Sequence, residues 1–472
     1  MYNYSHLEMG CAPRASIDAQ YTPTESIFTH VSHISQEFET LEEGIEPKCV
    51  FLTGATGFLG KVVLEDLLRN KAKYNLSKVI VLTRGKYGID PHQRFQKKVL
   101  SSPCFSKLSN PKNSFESVQV VVGDLSAPSC GMDWVTYGKV AKEITHIIHC
   151  AASVDFEPPL MEAIEANVST SMNVLELAKN SPGLQRFVST STAYVTPHKS
   201  GPISEVLVPL PWPAERLYED IKSGKRHEND VLAATGHPNT YTLTKAIAEH
   251  LLVSRKGSVP LTIVRPSIIS TSREFPFPGW VDSHAAFTAF AATYGAGLLR
   301  VCNVDNTTHL DIIPVDDVTK RLIDEAFFAQ RGPTASTPII YAVASLENTI
   351  PISTVVQILT TTFPTLDNPK GLNPVGIYVG PRTKRFHIHK FFHHTLRLHG
   401  AGIFFAATRN KKMSVAVRKQ RKILSILNRV FPHFTHNTYD FRPSVRLADD
   451  FCVEAYLKVV CEGVNEHLLK RA

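Results

Sequence analysis

Tyr241 and Lys245, four residues apart in the stretch NTYTLTKAIAEH (239–250), form the pair in this sequence best suited to moving a proton. On a helix, positions four apart lie on one face and can reach one ligand. An ammonium close to a phenol favours the phenolate, so the pair predicts a tyrosine pKa below its usual value of about 10 and a proton donor or acceptor usable near neutral pH. Such a pair alone is ordinarily a surface contact. Here two further stretches precede it. Arg186 to Val195 (RFVSTSTAYV) is a strand rich in hydroxyls, and Lys48 to Lys61 (KCVFLTGATGFLGK) carries three glycines in GxxGxxG spacing. Gly54 suits a tight turn, Gly57 a close backbone approach to a pyrophosphate, and Gly60 the packing of a helix on a strand. The helix that follows would present unpaired N–H groups to phosphates. Together the three stretches predict a dinucleotide site with a proton donor beside it.

The elements that must hold these residues alternate. Cys49 to Leu52, Lys78 to Thr83, Val118 to Leu125, Ile144 to Cys150 and Arg186 to Val195 read as buried strands. Amphipathic segments lie between them, among them Leu59, Val62, Val63 and Leu67, and the helix Leu160 to Asn180. This order predicts an α/β fold of the doubly wound Rossmann type, with a parallel sheet and its ligand at the carboxyl ends of the strands. The second strand ends at Arg84 with no carboxylate for a ribose hydroxyl. A guanidinium there suits a 2′-phosphate and favours NADP over NAD, although a solvated loop arginine has the same signature. Ala151, Ala152 and Ser153 after the fourth strand leave room for a flat ring. Asn167 fits a structural amide and a polar relay equally well.

The chain has 472 residues, enough for two or three units. Hydrophobic residues make up 43% and charged residues 20%, within the ordinary soluble range, and no apolar run of about 18 residues predicts a membrane span. The eight cysteines show no CxxC or zinc spacing, which fits reduced thiols of an intracellular, cytoplasmic protein. Met1 to Pro47 mixes Ser, Thr, Pro, Glu and His without periodicity and is expected to be mostly disordered. The net charge of +8 is unevenly placed. No acid occurs between Asp367 and Asp440, whereas Arg382, Lys384, Arg385, Lys390, Arg397, Arg409, Lys411, Lys412 and Arg418 crowd that interval. An anionic partner is implied: nucleic acid, a phospholipid surface or the phosphates of coenzyme A.

The motifs TGATGFLG, VGDL, STSTAYV and YTLTK resemble the extended short-chain dehydrogenase/reductase superfamily. Further along, HPNTYTLTKAIAE, IVRPSII (263–269), EFPFPGWVD (274–282), GAGLLR (295–300) and DIIPVDDV (311–318) are similar to the fatty acyl-coenzyme A reductases, in that family's order. PFPGW (276–280) is the most specific of them. Asn437 to Asp450 and Ala455 to Lys470 resemble, more loosely, the male-sterility C-terminal domain of that family. The resemblance implies residues 1–46 as an extension, 47–345 as a reductase domain and 346–472 as a smaller helical domain. It further implies a cofactor site of Thr53, Gly54, Thr56, Gly57, Phe58, Leu59, Gly60 and Ala151, with Arg84 on the 2′-phosphate and Asp124 and Leu125 beside adenine. Tyr241 is then the catalytic acid, Lys245 holds the nicotinamide ribose, and Thr192 or Ser191 supplies the third catalytic group. The implied cofactor is NADPH, the substrate an acyl-coenzyme A, and the product a primary alcohol reached through the aldehyde.

Other readings use fewer of these features. HKFFHH (389–394) resembles one histidine box of the di-iron desaturases, but a single box without spans builds no such site, so no metal is expected. A nucleotide-sugar epimerase shares the first motifs yet needs no strongly basic C-terminal region, and a non-catalytic NADP-binding module needs no Tyr241. Nucleic acid is not favoured as a partner. Met413 to Phe431 sets Met413, Val417, Leu424, Leu427 and Phe431 along one side amid cations. That pattern fits peripheral contact of 409–431 with an anionic membrane, and a core helix with a solvated face, equally well. Phe287, Phe290, Phe404 and Phe405 are candidates for a tunnel wall or for plain core.

Overall fold

Residues Cys49–Thr53 are all buried in the strand Lys48–Thr53 (β1), because both faces of the sheet are covered and a doubly buried strand has no polar side. In the computed structural model the described residues are 46–470, apart from 87, 157, 198–199, 330–335, 368–377 and 430. The expected disordered extension thus lies outside the described residues but for Glu46, as does the beginning of the acid-free interval.

β1 pairs in parallel with Leu76–Thr83 (β2) on one side and His146–His149 (β4) on the other. With Val118–Val122 (β3), Arg186–Thr190 (β5), Leu261–Pro266 (β6) and Ile339–Ala342 (β7), these form a seven-stranded parallel sheet in the order β7-β6-β5-β4-β1-β2-β3. The chain leaves β1 toward β2 in one direction and returns at β4 in the other. The crevice this reversal opens, at the carboxyl ends of β1 and β4, is where such sheets hold ligands. The helix Phe58–Arg69 (α1) packs Val62, Val63, Leu64 and Leu67 on one face of the sheet. On the other face lie Thr170–Lys179 (α2), entered through the π-helical turn Ile164–Ser169, and Thr240–Arg255 (α3).

Three strands are shorter than the sequence predicts: β4 keeps only His146–His149 of the expected 144–150, and β3 and β5 end early. β3 stops at Val122 because Gly123 turns the chain where a Cβ would stand 2.4 Å from the Cys130 carbonyl oxygen, so Asp124 and Leu125 belong to a loop. β5 stops at Thr190. Thr192 then caps a short 3-10 turn, its hydroxyl accepting from Tyr194 N at 3.3 Å, while Ser191 N still donates to the Val264 carbonyl of β6 at 2.7 Å, so the chain turns away from the sheet only after Ser191.

Downstream of the sheet, Ala286–Gly295 (α4) shares one apolar core with Ile352–Thr362 (α5) and Val453–Val464 (α10). Between α5 and α10 come Lys384–Lys390 (α6), Arg397–Ala407 (α7), Lys411–Arg429 (α8) and the single turn Pro432–Thr435 (α9), so the C-terminal region is mainly helical. It is fastened to the PFPGW segment by ring contacts of His467 with Trp280 and Phe277, at centroid distances of 5.1 and 5.6 Å, and by a close backbone approach. A Cβ on Gly463 of α10 would fall 2.0 Å from the Gly279 carbonyl oxygen, and Gly279 has φ +78°, so backbone lies directly on backbone. Tyr456 of α10 adds a hydrogen bond of 2.7 Å from its hydroxyl to the Thr271 carbonyl. Among the described residues no helix is long and apolar enough to cross a membrane.

Candidate active site

The glycine loop closes on itself. Gly57 N donates to Gly54 O at 2.8 Å, and Gly54, at φ +79°, has Ala151 N and the Cys150 carbonyl carbon 2.8 Å from where its Cβ would be. Gly60 packs on the loop carbonyl of Gly54, 2.2 Å from its virtual Cβ, rather than on the strand. A Cβ on Gly57 would meet only Gly54 O, at 3.2 Å. No side chain caps α1 at Gly57, so the N–H groups of its first turn, at Phe58 and Leu59, stay available to an anion. Thr53 braces the loop from below: its hydroxyl bonds His149 Nδ1 at 2.8 Å and accepts from Ala151 N at 3.2 Å.

A cavity of about 310 Å³ begins at these glycines, passes Thr192, Tyr241 and Lys245, and ends among Phe287, Phe290, Leu310 and Ile352. The π-turn residue Asn167 accepts from Ser153 N at 2.8 Å and donates to Thr244 Oγ1 at 3.0 Å, tying the loop after β4 to α3. Both ends of the amide are engaged in structure. Asn239 caps α3 by accepting from Thr242 N at 2.9 Å, which sets the phase of Tyr241 and Lys245 on the cavity side. α3 is further held by a buried fork: Arg265 of β6 donates to Glu249 through Nε at 2.8 Å and through NH2 at 2.5 Å. Arg265 is 0% and Glu249 2% exposed.

Sequence spacing predicts a tyrosine made more acidic by its lysine, and the structure reverses this. Burial pushes Tyr241 up to about 12, with a hydrogen bond from Thr192 only partly offsetting it. The Lys245 ammonium points past the phenol and donates 2.9 Å to the carbonyl of Thr190. Burial brings Lys245 down to about 8 despite the opposing influence of Glu249 and Cys150. Both hydroxyl candidates line the cavity with the phenol, and the Thr192 hydroxyl accepts from Tyr194 N at 3.3 Å and donates to Pro266 O at 3.5 Å. Ser191 Oγ also lines the cavity, buried and without a hydrogen bond within the protein.

Arg84 lies outside this cavity, at the end of β2, in an ion pair of 3.3 Å with Asp124. Burial alone would raise the Asp124 carboxyl, but hydrogen bonds from Ser126 and the Arg84 guanidinium hold it below the usual range. Leu125 is buried beside it, its carbonyl accepting from Asn173 Nδ2 at 2.8 Å. Arg94, absent from the sequence expectations, links the two groups by donating to Arg84 O at 2.9 Å and to Thr56 Oγ1 at 2.8 Å. The signal for it was the DPHQRF stretch, where Asp90 caps a short helix and so turns Arg94 back toward the glycine loop. Lys61 of α1 pairs with Asp282 of the PFPGWVD stretch, also unforeseen, and joins the cofactor-side helix to the segment that enters α4. Phe287 and Phe290 serve both as core and as cavity wall, whereas Phe404 is 60% exposed. Among the described residues no cluster of histidines, cysteines and carboxylates has metal-binding geometry, and His394 instead accepts from Arg300 N at 3.1 Å.

Residues 52–322, which include every side chain of this cavity up to Leu310, match the NAD-binding family described as "Male sterility protein". The chain belongs to this family. It is similar to fatty acyl-CoA reductase 1 of Gallus gallus, 34% identical over 61% of this chain and 56% of that protein, so the chain matches little more than half the length of that relative. A longer match, 28% identical over 84% of this chain and 75% of the other, is to fatty acyl-CoA reductase wat of Drosophila melanogaster. Among solved structures, the terminal R domain from the myxalamid PKS-NRPS biosynthetic pathway superposes with a TM-score of 0.59 at 19% identity, covering 91% of this chain and 92% of that one. That likeness is one of fold.

Proposed function

We propose that the protein reduces a long-chain acyl-coenzyme A with NADPH and carries the product on, through the aldehyde, to the primary alcohol. One observation carries the reading: a single cavity runs from a dinucleotide cradle, past a phenol and a threonine hydroxyl, to a wall of Phe287, Phe290, Leu310 and Ile352. An aromatic and aliphatic end suits an acyl chain and does not suit a sugar nucleotide, whose hydroxyls need polar partners. The relatives named as fatty acyl-CoA reductases support the same substrate class.

The cradle fits a dinucleotide. Gly57 has only the Gly54 carbonyl oxygen near the place a Cβ would take, the first turn of α1 is uncapped, and Ser191 Oγ is a buried hydroxyl in need of a partner. Bound there, NADPH would supply the hydride, one for each of two reductions, with coenzyme A leaving as its thiol after the first and a fresh NADPH needed for the second. Thr192 and Tyr241 are within reach of each other and would both donate to the carbonyl oxygen as it becomes negative, each donor being worth about 3 kcal/mol of barrier. With a pKa of about 12 the phenol stays protonated at neutral pH and acts as acid, the role a reduction requires. Lys245, held on the Thr190 carbonyl, would bind ribose hydroxyls and keep a positive charge behind the phenol. Arg84 and Arg94 form the place for a 2′-phosphate. The test is incubation of the protein with NADPH and palmitoyl-coenzyme A, following nicotinamide absorbance and the lipid products. Alcohol formation supports the full reading, aldehyde alone restricts it to one reduction, and no cofactor oxidation with any acyl thioester overturns it.

Two outcomes discriminate within this reading. Arg84→Ala should raise the KM for NADPH by about 2 kcal/mol, the worth of one charge-assisted contact, and leave that for NADH nearly unchanged. An equal effect on both cofactors would make Arg84 merely the counter-ion of Asp124. The pH profile tests Lys245. Its pKa in the folded protein is depressed, so the ammonium is present below about pH 8 and lost above it, and kcat/KM for reduction should fall through an alkaline limb near that value. Lys245→Arg, whose charge does not titrate there, should be slower and lack the limb. A limb that survives this substitution belongs to another group.

A further inference from the structure

We propose that the helical hairpin α6 to α8 docks on an anionic lipid bilayer, with an apolar stripe on its outward face entering the headgroup region. The hairpin is two-sided. Its inward side is fixed by Phe386, Leu398, Val417, Leu424 and Leu427, all buried. On the outward side Ile388, Phe392 and Leu396 recur four apart and Ile403 follows seven residues later, at 56%, 59%, 53% and 72% exposed. Helical positions at these spacings form one line, so four large apolar side chains make a continuous ridge in water. Lys384, Arg385, Lys390, Arg397, Arg409 and Lys411 are interleaved with it along the chain, in an interval with no acidic residue.

This combination selects its occupant. A second copy of the chain would bring one acid-free basic face against another, with nothing to neutralise either. Coenzyme A phosphates would use the cations but not the ridge. An anionic bilayer uses both: headgroups meet the cations while the apolar side chains enter to a depth of about 5–10 Å, as interfacial helices do. The position also has a use, which rests on the reductase reading. α8 leads to Phe431 and Phe434, which line the cavity, and the inward residues Leu398, Val417, Leu424 and Leu427 share one apolar core with the cavity-wall residues Phe287, Phe290 and Ile352. The docked face and the acyl site are therefore neighbours, and a long-chain substrate held in the bilayer would meet the cavity without crossing water.

The test is sedimentation of the full chain with vesicles, without cofactor or substrate, so that its outcome is independent of the reductase reading. Vesicles of phosphatidylcholine alone are compared with vesicles also containing phosphatidylserine. The protein should partition onto the second kind. Phe392→Ser, Leu396→Ser and Ile403→Ser combined should weaken partition about tenfold or more, and Lys411→Gln, Lys412→Gln and Arg418→Gln combined on the order of a hundredfold at low salt. All six positions are exposed, so the thermal midpoint of each variant should match the parent, which separates lost docking from lost folding. Parent protein that stays in the supernatant with phosphatidylserine vesicles overturns the proposal, as do two variants that sediment like the parent. A charge variant that sediments normally but raises the KM for a short, soluble thioester shows instead that these cations hold coenzyme A. A parent dimer that the stripe variant turns into a monomer shows that the ridge is an interface between copies.

Discussion

Tyr241→Phe is expected to lower kcat for acyl reduction on the order of a thousandfold while NADPH affinity stays within about a few fold. The substitution removes one oxygen and keeps the ring, which packs edge-on against Phe156 with centroids 5.6 Å apart, so the wall of the cavity survives. What goes is the proton donor to the developing alkoxide. Thr192 remains as a hydroxyl donor to the same oxygen but has no proton it can give up at neutral pH, so part of the electrostatic stabilisation persists while the acid function does not. Lys245 holds its own carbonyl partner at Thr190 and stays in place. Steady-state kinetics with palmitoyl-coenzyme A and fluorescence titration of NADPH measure the two halves of the expectation. Turnover at a parental rate would remove Tyr241 from the mechanism.

Gly60→Ala is expected to damage both cofactor binding and the fold, whereas Gly57→Ala should damage chiefly binding. The added carbon at position 60 would lie 2.2 Å from Gly54 O and 2.5 Å from Gly54 C. Neither atom belongs to a side chain that could swing away. Either α1 slides along the sheet, disturbing Val62, Val63 and Leu67, or the loop opens and Gly54 loses its approach to Ala151. Overpacking of this kind costs about 1–3 kcal/mol, and the distorted loop should raise the NADPH Kd by about tenfold or more. At position 57 the extra carbon meets protein only at 3.2 Å, where the Gly54 carbonyl need give by no more than a few tenths of an ångström, so any loss of stability should be much smaller than at position 60 while the pyrophosphate is excluded. Denaturant unfolding alongside cofactor titration separates the two. Matched losses of stability in both variants would contradict this division of labour.

The contrast between these glycines marks how far the sequence could be read. Spacing located the cradle, the strand leading into it and the helix leaving it, because apolar periodicity and glycine punctuation are local signals. It assigned Gly60 to the strand, since the return of the loop onto its own helix is a three-dimensional fact. The same limit explains Tyr241. Spacing put the phenol and ammonium on one face, but burial, which depends on every surrounding element, decided the direction of the shift, and a backbone carbonyl from β5 claimed the ammonium. The pair Arg265 with Glu249 and the pair Lys61 with Asp282 were invisible for a related reason: each joins residues from different elements, with no periodicity to announce them, and Arg94 was announced only by the Asp90 cap that turns it back. Residues 413–431 show the opposite case, in which a pattern was real but ambiguous. Val417, Leu424 and Leu427 do face the core, whereas Met413 of the same line and its neighbour Val415 stay exposed, and the rest of the apolar surface left in water on this hairpin belongs to the helices before them.

The contact between Gly279 and Gly463 has a consequence for inheritance. The PFPGW turn and the last long helix are far apart in the chain, yet Gly463 admits only a hydrogen because the Gly279 carbonyl occupies the room a methyl would take, and Gly279 is held to glycine by its φ of +78° with Gly463 Cα only 3.0 Å from where its Cβ would be. A change at one cannot be accommodated by a smaller residue at the other, since nothing smaller than glycine exists. The two must therefore descend as a unit, and a chimera that joined the front of one relative to the tail of another would fold only if both parents carried the same pair. The C-terminal helices of this protein are in that sense a component that cannot be traded on its own.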